Sequence, residues 1–136
     1  MILVDANVLI DLMVADPVWA PWSYEALIRA AERDEVGIDP LIYAEVTADE
    51  PTQTRFDAAF PPTRIARLSL SYEAAFVSGQ AFKLYRRRGG ARRAPLPGFY
   101  IGAHAAVGGM PLVTRDAARY RGYFPSLDIV APDSHP

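Results

Sequence analysis

Three carboxylates stand where an acidic side chain needs a reason. Asp5 closes the apolar run MILV and precedes helical apolar spacing at Val8, Leu9 and Leu12. Glu45, in LIYAEV, falls on the helical side of Leu41 and Ile42 and so points from an apolar face. Asp116 follows Pro111–Thr114 and Arg115, repeating the opening pattern. Charged groups are seldom fully buried unless paired or bound to a metal, and in open α/β sheets ligands collect beyond the carboxyl ends of the strands. Three acids at one edge would repel one another, so the set makes sense around a divalent cation. With no Cys and no His pair at ligand spacing, oxygen ligands favour Mg2+ or Mn2+ over Zn2+. A metal-bound water of lowered pKa can attack a phosphodiester.

Asn7 and Thr114 are placed to order a site carboxylate or its water. Each of these residues also has an ordinary role open to it. Asp5 and Asp116 precede helices that they could cap, Asn7 and Thr114 could serve as local caps, and Glu45 could be a paired surface residue. His104, in a helix of small residues, reads as a hydrogen-bonded core histidine. Arg86, Arg87, Arg88, Arg92 and Arg93 form a basic stretch that is either a solvated helix end or a surface gripping phosphates. Trp19 and Trp22 suit core and turn positions, with a partner anchor as the alternative.

The elements that must position these residues follow from spacing. A strand at 2–4 leads to a helix from Asn7 to about Met13, ended before Asp16-Pro17. Ser23 is the expected N-cap of a second helix whose stripe is Tyr24, Leu27, Ile28 and Ala31. A strand at 36–38, a helix at 41–46, a short helix at 52–60 and a strand at 64–68 follow. Ser71 should cap a long helix to about Arg88, facing inward with Tyr72, Ala75, Phe76, Gly79 and Phe82 and stopped by Gly89-Gly90. The segment after Pro97 reads as a helix whose Gly102, Ala103, Ala105 and Ala106 permit close packing. A strand at 111–114, a short helix at 117–120 and a strand at 127–130 complete the chain. Strands alternating with helices imply parallel pairing by right-handed crossovers, hence an α/β fold: a three-layer α/β/α sandwich with a central parallel sheet. All strand ends of one polarity then share an edge, which brings Asp5 and Asp116 to the same side.

The 136 residues suit a single domain, 1–136, with 131–136 a flexible tail, and a hydrophobic fraction of 51% is enough for a core without disulfides. The net charge of −2 gives no global footprint for nucleic acid, so such binding must rest on a local patch. No apolar stretch is long enough to span a bilayer and no signal peptide is apparent, so a cytoplasmic protein without membrane contact is expected.

Four motifs, VDANVLIDL, IYAEV, LPGFYIGAHA and LVTRDAARY, occur in the order and spacing of a PIN domain, and the chain resembles the VapC-type toxins of type II toxin–antitoxin systems. The resemblance implies a PIN-like sandwich, Mg2+- or Mn2+-dependent endoribonuclease activity, homodimers, and neutralisation by a cognate antitoxin. It assigns the metal-binding and catalytic acids to Asp5, Glu45 and Asp116, and the polar helper positions to Asn7 and Thr114. One position departs. The family's Pro-Asp-Phe stands here as Pro97-Gly98-Phe99, so Gly98 occupies the place of a metal-binding Asp and supplies no side-chain oxygen. Weaker metal binding and impaired cleavage follow, with a natural loss, an inactivating change and compensation by another group all open as explanations. Two alternatives keep the fold, a catalytically impaired antitoxin-binding protein and a DNA-processing nuclease. A third, an aspartate-nucleophile phosphohydrolase, wants a second Asp two residues after the first, where this chain has Asn7.

Overall fold

The computed structural model describes residues 1–48 and 53–136. Strand β1 (Ile2–Val4) leads to helices α1 (Ala6–Met13) and α2 (Ala20–Arg33), then β2 (Val36–Ile38), α3 (Pro40–Val46) and α4 (Gln53–Ala59). The second half runs β3 (Ala66–Arg67), α5 (Tyr72–Arg87), α6 (Pro97–Gly108), β4 (Leu112–Val113), α7 (Ala118–Arg121) and β5 (Ile129–Val130). The strands form one all-parallel sheet in the order β3-β2-β1-β4-β5. Crossovers from β1 through β2 to β3 travel one way across the sheet, and those from β3 to β4 and β5 travel the other. Right-handed connections therefore put the two groups of helices on opposite faces. The α/β class, the parallel sheet and the expected element order are all present.

The core forms where the sheet is covered on both sides, with Leu3, Val4, Val8, Leu9, Ile38, Ile42, Ile101, Leu112 and Val113 almost wholly buried. Continuous apolar runs in β1 and β4 fit strands buried on both faces. The strands expected at 64–68, 111–114 and 127–130 contract to two residues each. Hydrogen bonding continues past them, from Leu68 N to Ile38 O (2.8 Å) and from Thr114 N to Val130 O (3.0 Å). Of the helix expected at 52–60, Thr52 lies outside the described residues.

Two helices present a different face from the one their apolar spacing suggests. Helix α2 begins at Ala20 with Pro21 in its first turn, so Ser23 is not its N-cap. Ser23, Ala26 and Ala30 are its buried positions, while Tyr24 and Ile28 of the expected stripe are exposed. In α5, Ser71 does cap, accepting from Ala74 N (3.1 Å), and Gly89 follows the helix with φ 93°, where glycine is favoured. Its buried residues are nevertheless Ala74, Ser78 and Ala81, with Tyr72 96% and Phe76 67% exposed. In both helices small side chains face inward, allowing backbones to approach closely, and this rotates the bulky residues outward. Helix α6 follows its expected packing at Gly102, Ala103 and Ala105, whereas Ala106 is exposed.

The terminal segment 131–136, expected as a flexible tail, makes three contacts with the domain, although residues 133–136 are exposed. Ala131 is fully buried, Trp22 Nε1 donates to His135 O (2.7 Å), and Arg121 Nη2 pairs with Asp133 Oδ1 (2.9 Å). Among the described residues, no helix is long and apolar enough to cross a membrane.

Candidate active site

Strand order reverses between β1 and β4, so their carboxyl ends frame the crevice where α/β sheets collect ligands. Asp5 leaves β1 there and is fully buried. Its Oδ1 accepts from Ala6 N (2.8 Å), capping α1, while Oδ2 accepts from Tyr120 OH (2.7 Å), Thr114 Oγ1 (2.8 Å) and Asn7 Nδ2 (3.3 Å). Asn7 also reaches Thr114 Oγ1 (3.3 Å) and accepts from Arg115 N (3.0 Å), tying the end of β1 to the end of β4. The expected trio of Asp5, Asn7 and Thr114 is thus brought together. Tyr120 joins them as a further donor to Asp5, at a position that the sequence spacing does not mark. Burial pushes the Tyr120 phenol well above its ordinary pKa and the Asp5 charge adds to this, so Tyr120 remains a donor.

Glu45 approaches from α3 with its side chain 26% exposed, and Arg119 Nη2 lies 3.5 Å from its Oε1. Burial raises the Glu45 pKa above the usual carboxylate range; Asp5 and Asp39 raise it further, and the Arg119 charge opposes them. Between the ordinary and the raised value the folded protein keeps a proton that the unfolded chain gives up. Stability therefore falls as pH rises through that window and stays reduced above it. Glu45→Gln should accordingly raise the melting temperature at pH 7, the gain shrinking as pH falls to the ordinary Glu value of about 4.3. Melting curves of the two proteins at pH 7 and pH 4 check this; an equal difference at both would tie it to packing instead.

Asp116 adjoins the Asp5 cluster through the Thr114 hydroxyl, which donates to Asp5. It is exposed and lines a cavity with Trp19, Arg115, Arg121 and Asp133, while its backbone N–H donates to Thr114 Oγ1 (3.1 Å). The strand alternation that would carry positions 114 and 116 to one side ends when the chain turns after Thr114. Gly98 lies buried in the first turn of α6, and the Arg119 guanidinium lies against it. A Cβ at position 98 would sit 3.0 Å from Arg119 Cζ and 3.1 Å from Nη2, with Nε closer still. Burial works against the Arg119 charge, but Tyr120, Asp5 and Glu45 outweigh it and hold the pKa above the ordinary arginine value.

Two buried acids outside the expected set brace this edge. Asp39, closing β2, accepts from Ile42 N (2.9 Å) as the cap of α3, and its Oδ2 lies 2.9 Å from His104 Nδ1. The pair joins α3, which carries Glu45, to α6, which carries Gly98, and gives His104 its expected hydrogen-bonded core role. Asp11 of α1 receives Ser23 Oγ (2.7 Å) and both Nε (2.8 Å) and Nη2 (3.0 Å) of Arg115, whose guanidinium lies 5.3 Å from the Trp19 ring.

Among the described residues, no three His, Cys, Asp or Glu side chains stand where they could hold a metal ion. The reasons are specific. Gly98 has no side-chain oxygen, Asp116 is exposed, Asp5 Oδ2 already accepts three hydrogen bonds, and a guanidinium stands beside Glu45. As placed, these residues do not fit Mg2+ or Mn2+. Nor is Asp5, fully buried among donors, presented as a nucleophile for phosphoryl transfer. Arg86, Arg87, Arg88, Arg92 and Arg93 are exposed at the end of α5 and in the loop that enters α6 just before Gly98. Arg88 also donates to Gly122 O (2.9 Å) and lies over the Tyr123 ring.

No protein-family model and no curated protein matches the sequence. Solved structures do match. A chain of VapBC2 from Rickettsia felis, bound to a DNA fragment from its promoter, superposes with TM-score 0.73 at 18% identity, covering 96% of this chain and 98% of that one. VapBC-1 from nontypeable Haemophilus influenzae gives 0.72 at 16% identity, again over 96% and 98%. DNA-bound VapBC from Salmonella typhimurium gives 0.70 at 19% identity over the same shares. The chain has a PIN-like fold. Within it, the Asp5 cluster occupies the switch point, and the PIN-like motif quoted from α6 carries Gly98 into the same edge.

Proposed function

We propose that this chain is the toxin-type member of a toxin–antitoxin pair, built on an endoribonuclease site that is impaired in the present form, with its cognate antitoxin as principal partner. The observation that carries the reading is one juxtaposition. A PIN-like fold, shared along nearly the whole chain with VapBC structures, holds Asp5, Asn7 and Thr114 together while Gly98 brings no carboxylate to them. In the unimpaired site Mg2+ or Mn2+ is the cofactor, and Asp5, Glu45, Asp116 and an acid at position 98 are the groups the resemblance gives it. The RNA substrate would meet Arg86, Arg87, Arg92 and Arg93, whose charges flank the entrance to α6. Exposed Val14, Val18, Tyr24, Ile28, Tyr72 and Phe76 offer apolar surface for the antitoxin and for a second copy in a homodimer. Action on RNA beside an antitoxin places the protein in the cytoplasm.

Co-expression with the product of the reading frame immediately upstream tests the partner. The expected result is a stable complex on size exclusion, while the isolated chain leaves a mixed RNA pool intact in Mg2+. Elution of the two proteins as separate species would contradict the proposal.

A further inference from the structure

The acidic edge carries a cation of its own. Arg119 reaches from α7 into the space above Gly98, its Nη2 is 3.5 Å from Glu45 Oε1, and the neighbouring residue, Tyr120, donates to Asp5. Its side chain is 30% exposed, so most of it lies inside the edge rather than in solvent. The guanidinium lies 5.7 Å from the Tyr120 ring, which supports its position from below.

We infer that the Arg119 guanidinium is the resident counter-ion of the Glu45 carboxylate, seated beside the Asp5 cluster in the room that glycine leaves at position 98, and that it closes this pocket to divalent cations. A guanidinium cannot lose its proton in a protein, so its charge is permanent. A divalent ion entering beside it would meet a like charge, and the carboxylate it needs most already has its Oδ2 surrounded by donors. Gly98 contributes twice. It removes one ligand, and it removes the Cβ that would push the guanidinium aside. The group that fills the space beside Gly98 is a cation and restores no ligand, so it does not compensate for the missing carboxylate.

The inference rests on the reading of this edge as an impaired metal site and names the group that impairs it. Titration of the full-length chain with Mn2+ by calorimetry tests it, using the native protein, Arg119→Lys, Arg119→Gln, Gly98→Asp and the double variant Gly98→Asp/Arg119→Gln. Native protein and Arg119→Lys should bind most weakly and alike, because both keep the charge. Arg119→Gln should bind about tenfold more tightly, and the double variant most tightly, by about a hundredfold over native, on the scale by which site partners tune metal affinity. Gly98→Asp alone falls between, since its new carboxylate also gives Arg119 a second partner. Arg119→Gln binding no better than native, or native binding as tightly as the double variant, would overturn the inference. If the glutamine variants fail to fold by circular dichroism, melting of the native chain decides. No rise in melting temperature with Mn2+ beyond a matched Na+ control supports the inference, and a clear rise overturns it. Antitoxin binding is read separately, so failure of either proposal leaves the other measurable.

Discussion

Asp11→Ala should destabilise the protein by about 3 kcal/mol, the lower end of the range for removing one partner of a buried ion pair. Asp11 is 1% exposed and takes three hydrogen bonds, one from Ser23 and two from Arg115. Its loss would leave a buried hydroxyl without an acceptor and a guanidinium without its counter-charge. The lower end applies because the Arg115 side chain is 30% exposed and can recover some hydration. For a domain of 136 residues this corresponds to a fall of about 10 °C in melting temperature. Removing Asp34, whose exposed carboxylate pairs with the N-terminal amine of Met1, is the contrasting case and should shift the melting temperature little, because solvent screens the pair. Thermal melts followed by circular dichroism separate the two. Equal small losses would mean that the Asp11 network does not hold α1, α2 and the turn after β4 together.

The sequence makes the central architecture legible because its signals are local. Apolar runs of strand length at Ile2–Val4 and Val36–Ile38, a Ser71 cap and a Gly89 stop each determine their own neighbourhood, and parallel pairing then brings the strand ends to one edge. That is why Asp5, Asn7 and Thr114 could be placed together although their partners lie far apart in sequence. Which way a side chain points once a strand has ended is less accessible. Asp116 follows the same pattern as Asp5, yet the turn after β4 leaves it exposed. The faces of α2 and α5 were hidden for a related reason: apolar spacing permits more than one stripe, and close packing of small residues decides among them.

The buried partners were hidden in a different way. Asp39 stands before Pro40 and has the appearance of a helix cap, which it is, but its second oxygen meets His104 only because α3 and α6 pack together. Asp11 resembles any polar residue on a helix that faces solvent on one side. Arg119 sits among Arg115 and Arg121 in a short charged stretch, and nothing in the spacing distinguishes the arginine that turns toward Gly98. The signal available was Gly98 itself, since a residue with no side chain in a packed first turn leaves space that a long neighbour can enter.

The central claim is that this edge lacks a working metal centre and that the absent carboxylate at position 98, which also admits the Arg119 guanidinium, is the change that matters most. Returning it makes the largest functional change expected of any single substitution in the chain. Gly98→Asp adds an oxygen ligand and a negative charge at the start of α6, where an acidic side chain is also favoured by the helix dipole. Its Cβ must displace the Arg119 guanidinium, a flexible side-chain end that can yield. The decisive measurement is cleavage of a mixed RNA pool in Mg2+ by the native chain and by Gly98→Asp, with a metal-free control containing a chelator. The account predicts native cleavage at the level of that control and at least about a tenfold gain for the variant, abolished by the chelator. Metal-dependent cleavage by the native chain equal to that of Gly98→Asp, or no gain in the variant, would contradict it.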